Sequence, residues 1–252
     1  MKPHRHPIAR LPHRGLGLVA ALALALGFTA TTRAAAEEGV ALAIIYDTSG
    51  SMAEPVPAGP GTTAPKYVIA NKALGNIVDR IERFATNGSA QTPRKVEAGL
   101  YVFRKGQAAA AVPFGPLDAQ AFRKWVGHFS RPNGDTPLGR SIEVAAKAVL
   151  ASPLNHKHIV VITDGMNTAG PDPQTVINKI TQGGDHNPSG LAFHFVAFDV
   201  DASVFAGVKS LGATVVPAAN EQQLNARLEY IFEKKILLED EEPKSPAPAK
   251  TN

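Results

Sequence analysis

Residues 40–52 read VALAIIYDTSGSM, and the run from Val40 to Tyr46 decides the fold class. It is apolar without a break, so it lacks the alternation of a strand with one wet face. Such a run reads as a strand buried on both sides, the kind found in parallel sheets covered by helices. At its end the chemistry changes in one step. Asp47, Ser49 and Ser51 put three oxygen-bearing side chains at two-residue spacing on one tight loop. In an open α/β sheet the carboxyl ends of the strands form the binding edge, so this loop is where a ligand is expected.

Working outward, similar apolar runs recur at residues 159–163 (IVVIT) and 191–200 (LAFHFVAFDV). Between them the apolar period switches to three and four. Tyr67, Ala70, Leu74, Ile77, Ile81 and Phe84 form one helical stripe; Leu138, Ile142, Ala145 and Val149 form another, and Leu224, Leu228 and Ile231 a third. Residues 96–103 and 108–114 flank Arg104-Lys105-Gly106, which predicts an antiparallel hairpin. Strands alternating with helices, plus a hairpin at one edge, give an α/β class with a doubly wound, mostly parallel, Rossmann-like sheet. The spacing shows no internal repeat. Residues 54–65 (EPVPAGPGTTAP) are dense in Pro and Gly and are expected to be irregular. The C-terminal stretch, 236–252, is charged and then Pro-rich and reads as a solvated tail, leaving residues 37–235 as the domain.

The first thirty-six residues have the order of a secretory signal peptide: a basic start, an apolar run from Gly15 to Ala30, then Ala34-Ala35-Ala36. Cleavage is expected before Glu37. The apolar run is short of the roughly 20 residues that span a bilayer, which disfavours an uncleaved membrane anchor. The leader carries five of the 26 bases and none of the 22 acids, so residues 37–252 hold 21 bases against 22 acids. The high pI therefore belongs to the leader and gives no reason to expect nucleic-acid binding. No cysteine is present. That excludes a disulfide framework, a thiolate metal site and a cysteine nucleophile.

A second carboxylate arrives at the same edge. Ile162-Thr163-Asp164-Gly165 ends another buried strand, and Gly134-Asp135-Thr136-Pro137 precedes the helix that starts at Leu138. Asp47, Ser49, Ser51, Thr136 and Asp164 are all hard oxygen donors, suited to Mg²⁺, or to Ca²⁺ or Mn²⁺, and not to zinc or copper. In that order and at those boundaries they resemble the von Willebrand factor A (VWA) family, over about residues 40–235. Its metal-ion-dependent adhesion site has a D-x-S-x-S loop, a separate Thr and a separate Asp. The resemblance implies that the two serines and Thr136 bind the ion directly and that the aspartates act partly through water. The segment from Asp164 through Gly170-Pro171-Asp172-Pro173 to Asp201 is similar to an exported bacterial subgroup. Members of that subgroup often carry a cysteine pair near the Gly-Pro-Asp-Pro turn, which this chain lacks.

Bland readings stand beside these. Asp47 and Asp164 could be turn caps, and Thr136 an N-terminal cap. Asp135 is expected to face water. His156 and His158 are expected in a loop, His194 in the core, Trp125 in the core of a helix with Phe122 and Phe129, and Asp199 and Asp201 in a turn. A Mg²⁺-dependent phosphohydrolase of the haloacid dehalogenase type is the enzyme alternative, but its general acid would fall at Ser49. An aspartic protease would need paired carboxylates on an all-β scaffold. Neither a Gly-x-Ser-x-Gly elbow nor a Walker loop occurs. The resemblance thus implies a non-enzymatic binding module, periplasmic or secreted, that captures an Asp or Glu carboxylate of a protein partner.

Overall fold

The computed structural model describes residues 36–86, 94–182 and 190–237. All of the expected leader except Ala36, and all of the expected tail except residues 236–237, lie outside the described residues. In chain order the elements are β1 (Glu37–Tyr46), β2 (Pro55–Gly59), β3 (Thr62–Pro65) and α1 (Lys66–Thr86). Then come β4 (Val96–Arg104), β5 (Gln107–Pro116), α2 (Ala119–His128), α3 (Leu138–Ala151) and β6 (Leu154–Thr163). The series closes with α4 (Pro173–Gln182), β7 (Leu191–Phe198), α5 (Ala206–Ser210), β8 (Thr214–Ala218) and α6 (Glu221–Ile231).

The main sheet has the order β5-β4-β1-β6-β7-β8. All neighbours are parallel except β4 and β5. This is the mostly parallel α/β sheet with one antiparallel edge that the sequence predicts. At the β4–β5 turn Lys105 and Gly106 have φ of 52° and 68°, as a two-residue hairpin turn with positive φ at both centres requires.

The unbroken apolar run of β1 follows from its central place. Leu42, Ile44 and Tyr46 pack toward α1, α2 and α6, while Ala41, Ala43 and Ile45 pack toward α3 and α4. Both faces are buried, so neither set can be polar. The small residues on the second face let α3 lie close to the sheet. Its Gly139 lies so near the chain at Pro171 that an added Cβ would sit 2.0 Å from the Pro171 carbonyl oxygen.

Four local expectations are corrected. Residues 54–65 are not irregular: β2 and β3 form an antiparallel ribbon with Val56 opposite Ala64. A two-stranded ribbon has two free edges, so its prolines need not donate to a ladder, and Val56 is buried against the core. His156 and His158 lie in β6 opposite Val40 and Leu42, not in a loop. Strand β7 stops at Phe198 because Asp199 turns the chain with φ of 56°. Helix α2 ends at His128, so Phe129 is its C-terminal cap; Trp125 is half-buried and stacks on Phe129 at 4.9 Å. The described chain closes with a π-helical turn, Phe232–Ile236, whose Ile236 is buried.

Candidate metal centre

The loop after β1 is held from three sides. The Asp47 N–H donates to the Ile162 carbonyl at 2.9 Å. The Thr48 hydroxyl donates to the Phe103 carbonyl at 2.8 Å and accepts from the Phe103 N–H at 3.0 Å. On the other flank, the Asn133 N–H donates to the Thr48 carbonyl at 2.8 Å, and the Gly50 N–H to the Gly134 carbonyl at 3.2 Å. Thr48 points away from the oxygen cluster and anchors the loop to β4, which leaves Ser49 and Ser51 to face the edge.

Asp47 is wholly buried. Its Oδ1 accepts from the Ser49 N–H at 2.8 Å and its Oδ2 from the Thr163 hydroxyl at 2.5 Å. Burial lifts its carboxyl pKa to about 6, with the Asp164 charge adding to the rise and the hydrogen bonds from Ser49 and Thr163 opposing it. Tyr46, directly beneath, has its hydroxyl 2.8 Å from Asn71 Oδ1 and its ring edge-on to Trp125 at 5.1 Å.

The Ser51 hydroxyl joins the two strand ends. It donates to Asp164 Oδ1 at 2.8 Å and lies 3.1 Å from the Ser49 hydroxyl. Thr136 reaches the edge by its backbone. Its N–H donates to the Thr168 hydroxyl at 2.8 Å, and its carbonyl accepts from the Thr168 N–H at 3.0 Å. Among the described residues no hydrogen bond joins the Thr136 hydroxyl to the other four candidates. Asp135 is exposed.

Sequence reasoning missed the cation of the site. Lys66, the first residue of α1, is 3% exposed. Its Nζ lies 2.9 Å from Glu54 Oε2, 3.0 Å from Asp164 Oδ2 and 3.1 Å from Asp199 Oδ2. Burial pulls the ammonium pKa down, but the bonds to Glu54, Asp164 and Asp199 outweigh it and the net shift is upward. The one available signal was a lysine at a helix N-terminus, where the macrodipole disfavours positive charge. Thr163 and Thr168, which orient Asp47 and Thr136, are not singled out by the sequence as site residues, and for Asp199 the sequence favours a turn over a place on the rim of the binding edge.

Three of the candidate donors, Ser49, Ser51 and Asp164, have spacings compatible with a small divalent ion. With metal–oxygen bonds of about 2.0–2.1 Å, neighbouring oxygens of an octahedral shell lie about 2.9 Å apart. The Ser49–Ser51 and Ser51–Asp164 separations of 3.1 and 2.8 Å are near that edge length. Hydrogen bonds hold the same spacing by themselves. Among the described residues no group of three or more His, Cys, Asp or Glu side chains is placed to hold a metal ion, at this edge or elsewhere; the candidate set here relies on hydroxyls.

A doubly wound sheet whose central strands end in converging hydroxyls and carboxylates defines a class of α/β domains with a hard-oxygen edge. The von Willebrand factor type A domain profile matches residues 41–225, and the chain belongs to that family. No curated protein is similar enough in sequence to count as a relative. Among solved structures, a point mutant of the PilB minor pilin from Streptococcus sanguinis is similar with a TM-score of 0.60 and 15% identity, covering 77% of this chain and 61% of that one. Proximal thread matrix protein 1 from the mussel byssus, with a zinc-occupied MIDAS motif, has a TM-score of 0.56 and 15% identity, covering 78% and 48%. The vWF domain of the type V pili tip protein Mfa5 from Porphyromonas gingivalis has a TM-score of 0.54 and 12% identity, covering 83% and 98%. At such identities the likeness is one of fold, and the chain spans less than two thirds of the first two proteins.

Proposed function

We propose that the protein is an exported, non-enzymatic binding module that holds one divalent cation through Asp47, Ser49, Ser51, Thr136 and Asp164 and captures an Asp or Glu carboxylate of a protein partner. The observation that carries this reading is the Ser51 hydroxyl, set between Ser49 and Asp164 at 3.1 and 2.8 Å. A divalent ion supplies a Lewis-acidic, partly open coordination site. The chain's own part is to present neutral hydroxyls toward it while Asp47 is kept busy by Ser49 and Thr163, so that little negative charge is spent on the open side. Mg²⁺ or Mn²⁺ suits such a set; the zinc in the byssus protein's MIDAS motif extends the range to be tested.

Pilins and a pilus-tip protein among the similar structures favour an extracellular or periplasmic setting. Among the described residues no helix is long and apolar enough to cross a membrane. Against the phosphohydrolase alternative, Ser49 stands where the second Asp of that chemistry is required, and Thr163 rather than an acid contacts Asp47.

The test is partner capture by surface plasmon resonance in Mg²⁺, in chelator, and with Thr136→Ala. Binding is expected to need the ion, and Thr136→Ala is expected to weaken capture more than it weakens ion binding. A partner held equally well in chelator would make the ion structural. Phosphatase activity that vanishes in Asp47→Asn would move the protein to the enzymes.

A further inference from the structure

Asp164 divides its two oxygens between a neutral donor and a positive one. Oδ1 accepts from the Ser51 hydroxyl at 2.8 Å, on the side of the candidate ligands, while Oδ2 meets the Lys66 ammonium at 3.0 Å. Its side chain is fully buried and that of Lys66 nearly so. The other two carboxylates on Lys66, from Glu54 and Asp199, are 65% and 41% exposed, so water screens them and Asp164 is the principal counter-charge. A lysine in this position meets two penalties, burial and the positive end of α1. The three carboxylates come from the neck of the β2–β3 ribbon, the end of β6 and the turn after β7, and the ammonium bridges all three.

Resting on the metal-site reading above, we infer that Lys66 is a resident cation that shares Asp164 with the divalent ion and so keeps divalent affinity low. A fixed positive charge one carboxylate away repels an arriving ion. It also satisfies Asp164 in the ion's absence, so the empty site has less to gain by filling. Through Oδ2 it leaves Asp164 a single oxygen for the ion. All three effects have the same sign.

The experiment is titration of the purified protein with Mn²⁺ alone, by calorimetry at neutral pH, for wild type, Lys66→Met and Lys66→Arg. Lys66→Met is expected to bind Mn²⁺ roughly 10- to 100-fold more tightly, as removal of one close charge at intermediate dielectric implies. Lys66→Arg is expected to stay near wild type. In thermal melts the upward shift on adding Mn²⁺ should be larger for Lys66→Met than for wild type; a merely structural lysine would lower both melts alike. Two exposed partners give a second route should Lys66→Met fail to fold. Glu54→Gln and Asp199→Asn leave Lys66 more exclusively to Asp164 and remove negative charge, so each is expected to weaken Mn²⁺ binding several-fold. Unchanged or weaker binding in folded Lys66→Met overturns the inference, and so does unchanged binding in both acid variants. If wild type and every variant ignore Mn²⁺, the metal-site reading fails and takes the inference with it. If wild type binds and charge at residue 66 makes no difference, the inference alone falls.

Discussion

Under the proposed function Asp47 must be charged to attract an ion, and it is buried where charge is costly. Its carboxyl pKa in the fold is about 6 against 3.8 for the free side chain. Between those values the folded protein holds a proton that the unfolded chain has lost, so stability of the metal-free protein falls as pH rises from about 4 to about 6. A shift of this size corresponds to on the order of 3 kcal/mol, an upper bound once relaxation is allowed. Asp47→Asn keeps the Ser49 acceptor and removes the charge. It is expected to melt higher than wild type in chelator at pH 7, to differ little at pH 4, and to lose Mn²⁺ binding. His158 and His194, whose pKa burial lowers to about 3 and about 4, cost stability as pH falls below about 6.5. They tilt wild type and mutant alike, so the difference between the two isolates Asp47. A mutant no more stable than wild type at pH 7 would mean that the buried carboxylate is already compensated.

At the scale of elements, the start of α3 and the loop after β6 are packed backbone to backbone. Gly139 leaves no room for a methyl against Pro171, and its N–H donates to Asn167 Oδ1 at 3.1 Å. Gly139→Ala must push the 166–172 loop away and so loosen the Thr136–Thr168 pair that sets the threonine at the site. We expect a loss of about 2–3 kcal/mol in urea unfolding together with weaker Mn²⁺ binding in calorimetry. A destabilised mutant with wild-type Mn²⁺ affinity would show that Thr136 is placed independently of this contact.

What the sequence makes legible follows from how local each signal is. The β1 run, the α1 stripe and the Lys105-Gly106 turn are written in contiguous residues, and each is found where the pattern puts it. Asp47, Ser49, Ser51 and Asp164 could be named because they follow the ends of apolar runs, and Thr136 because it stands just before a helix. The β2–β3 ribbon is hidden because its prolines argue against a central strand, while the packing of Val56 and the contact of Glu54 with Lys66 that hold it are tertiary. His158 was hidden because β6 begins in the polar stretch LNHKH, ahead of its apolar half. Lys66 was hidden for a different reason: its partners lie at positions 54, 164 and 199, and no window of sequence contains them.

At the scale of the molecule, the family match from residue 41 to 225 leaves both ends of the chain to separate tests. Glu37 begins β1, and its N–H donates to the Pro153 carbonyl at 2.9 Å, so cleavage before it would trim the chain to the edge of the sheet without cutting into it. Intact-mass measurement of exported protein is expected to give a chain starting at Glu37; an uncut chain held in the membrane would favour an anchor.

The β2–β3 ribbon is closed at its base, where the Lys66 N–H donates to the Glu54 carbonyl at 2.9 Å and the two side chains meet. Its far end, Pro60-Gly61, is exposed. A ribbon sealed at the neck is insulated from its own tip, because the closing contacts do not depend on how many residues lie beyond them. Lengthening the tip costs only the slow logarithmic rise of loop-closure entropy, under about 1 kcal/mol for a doubling. The tip is thus a place where this domain can drift, accept insertions or carry a grafted peptide while the scaffold beneath stays the same.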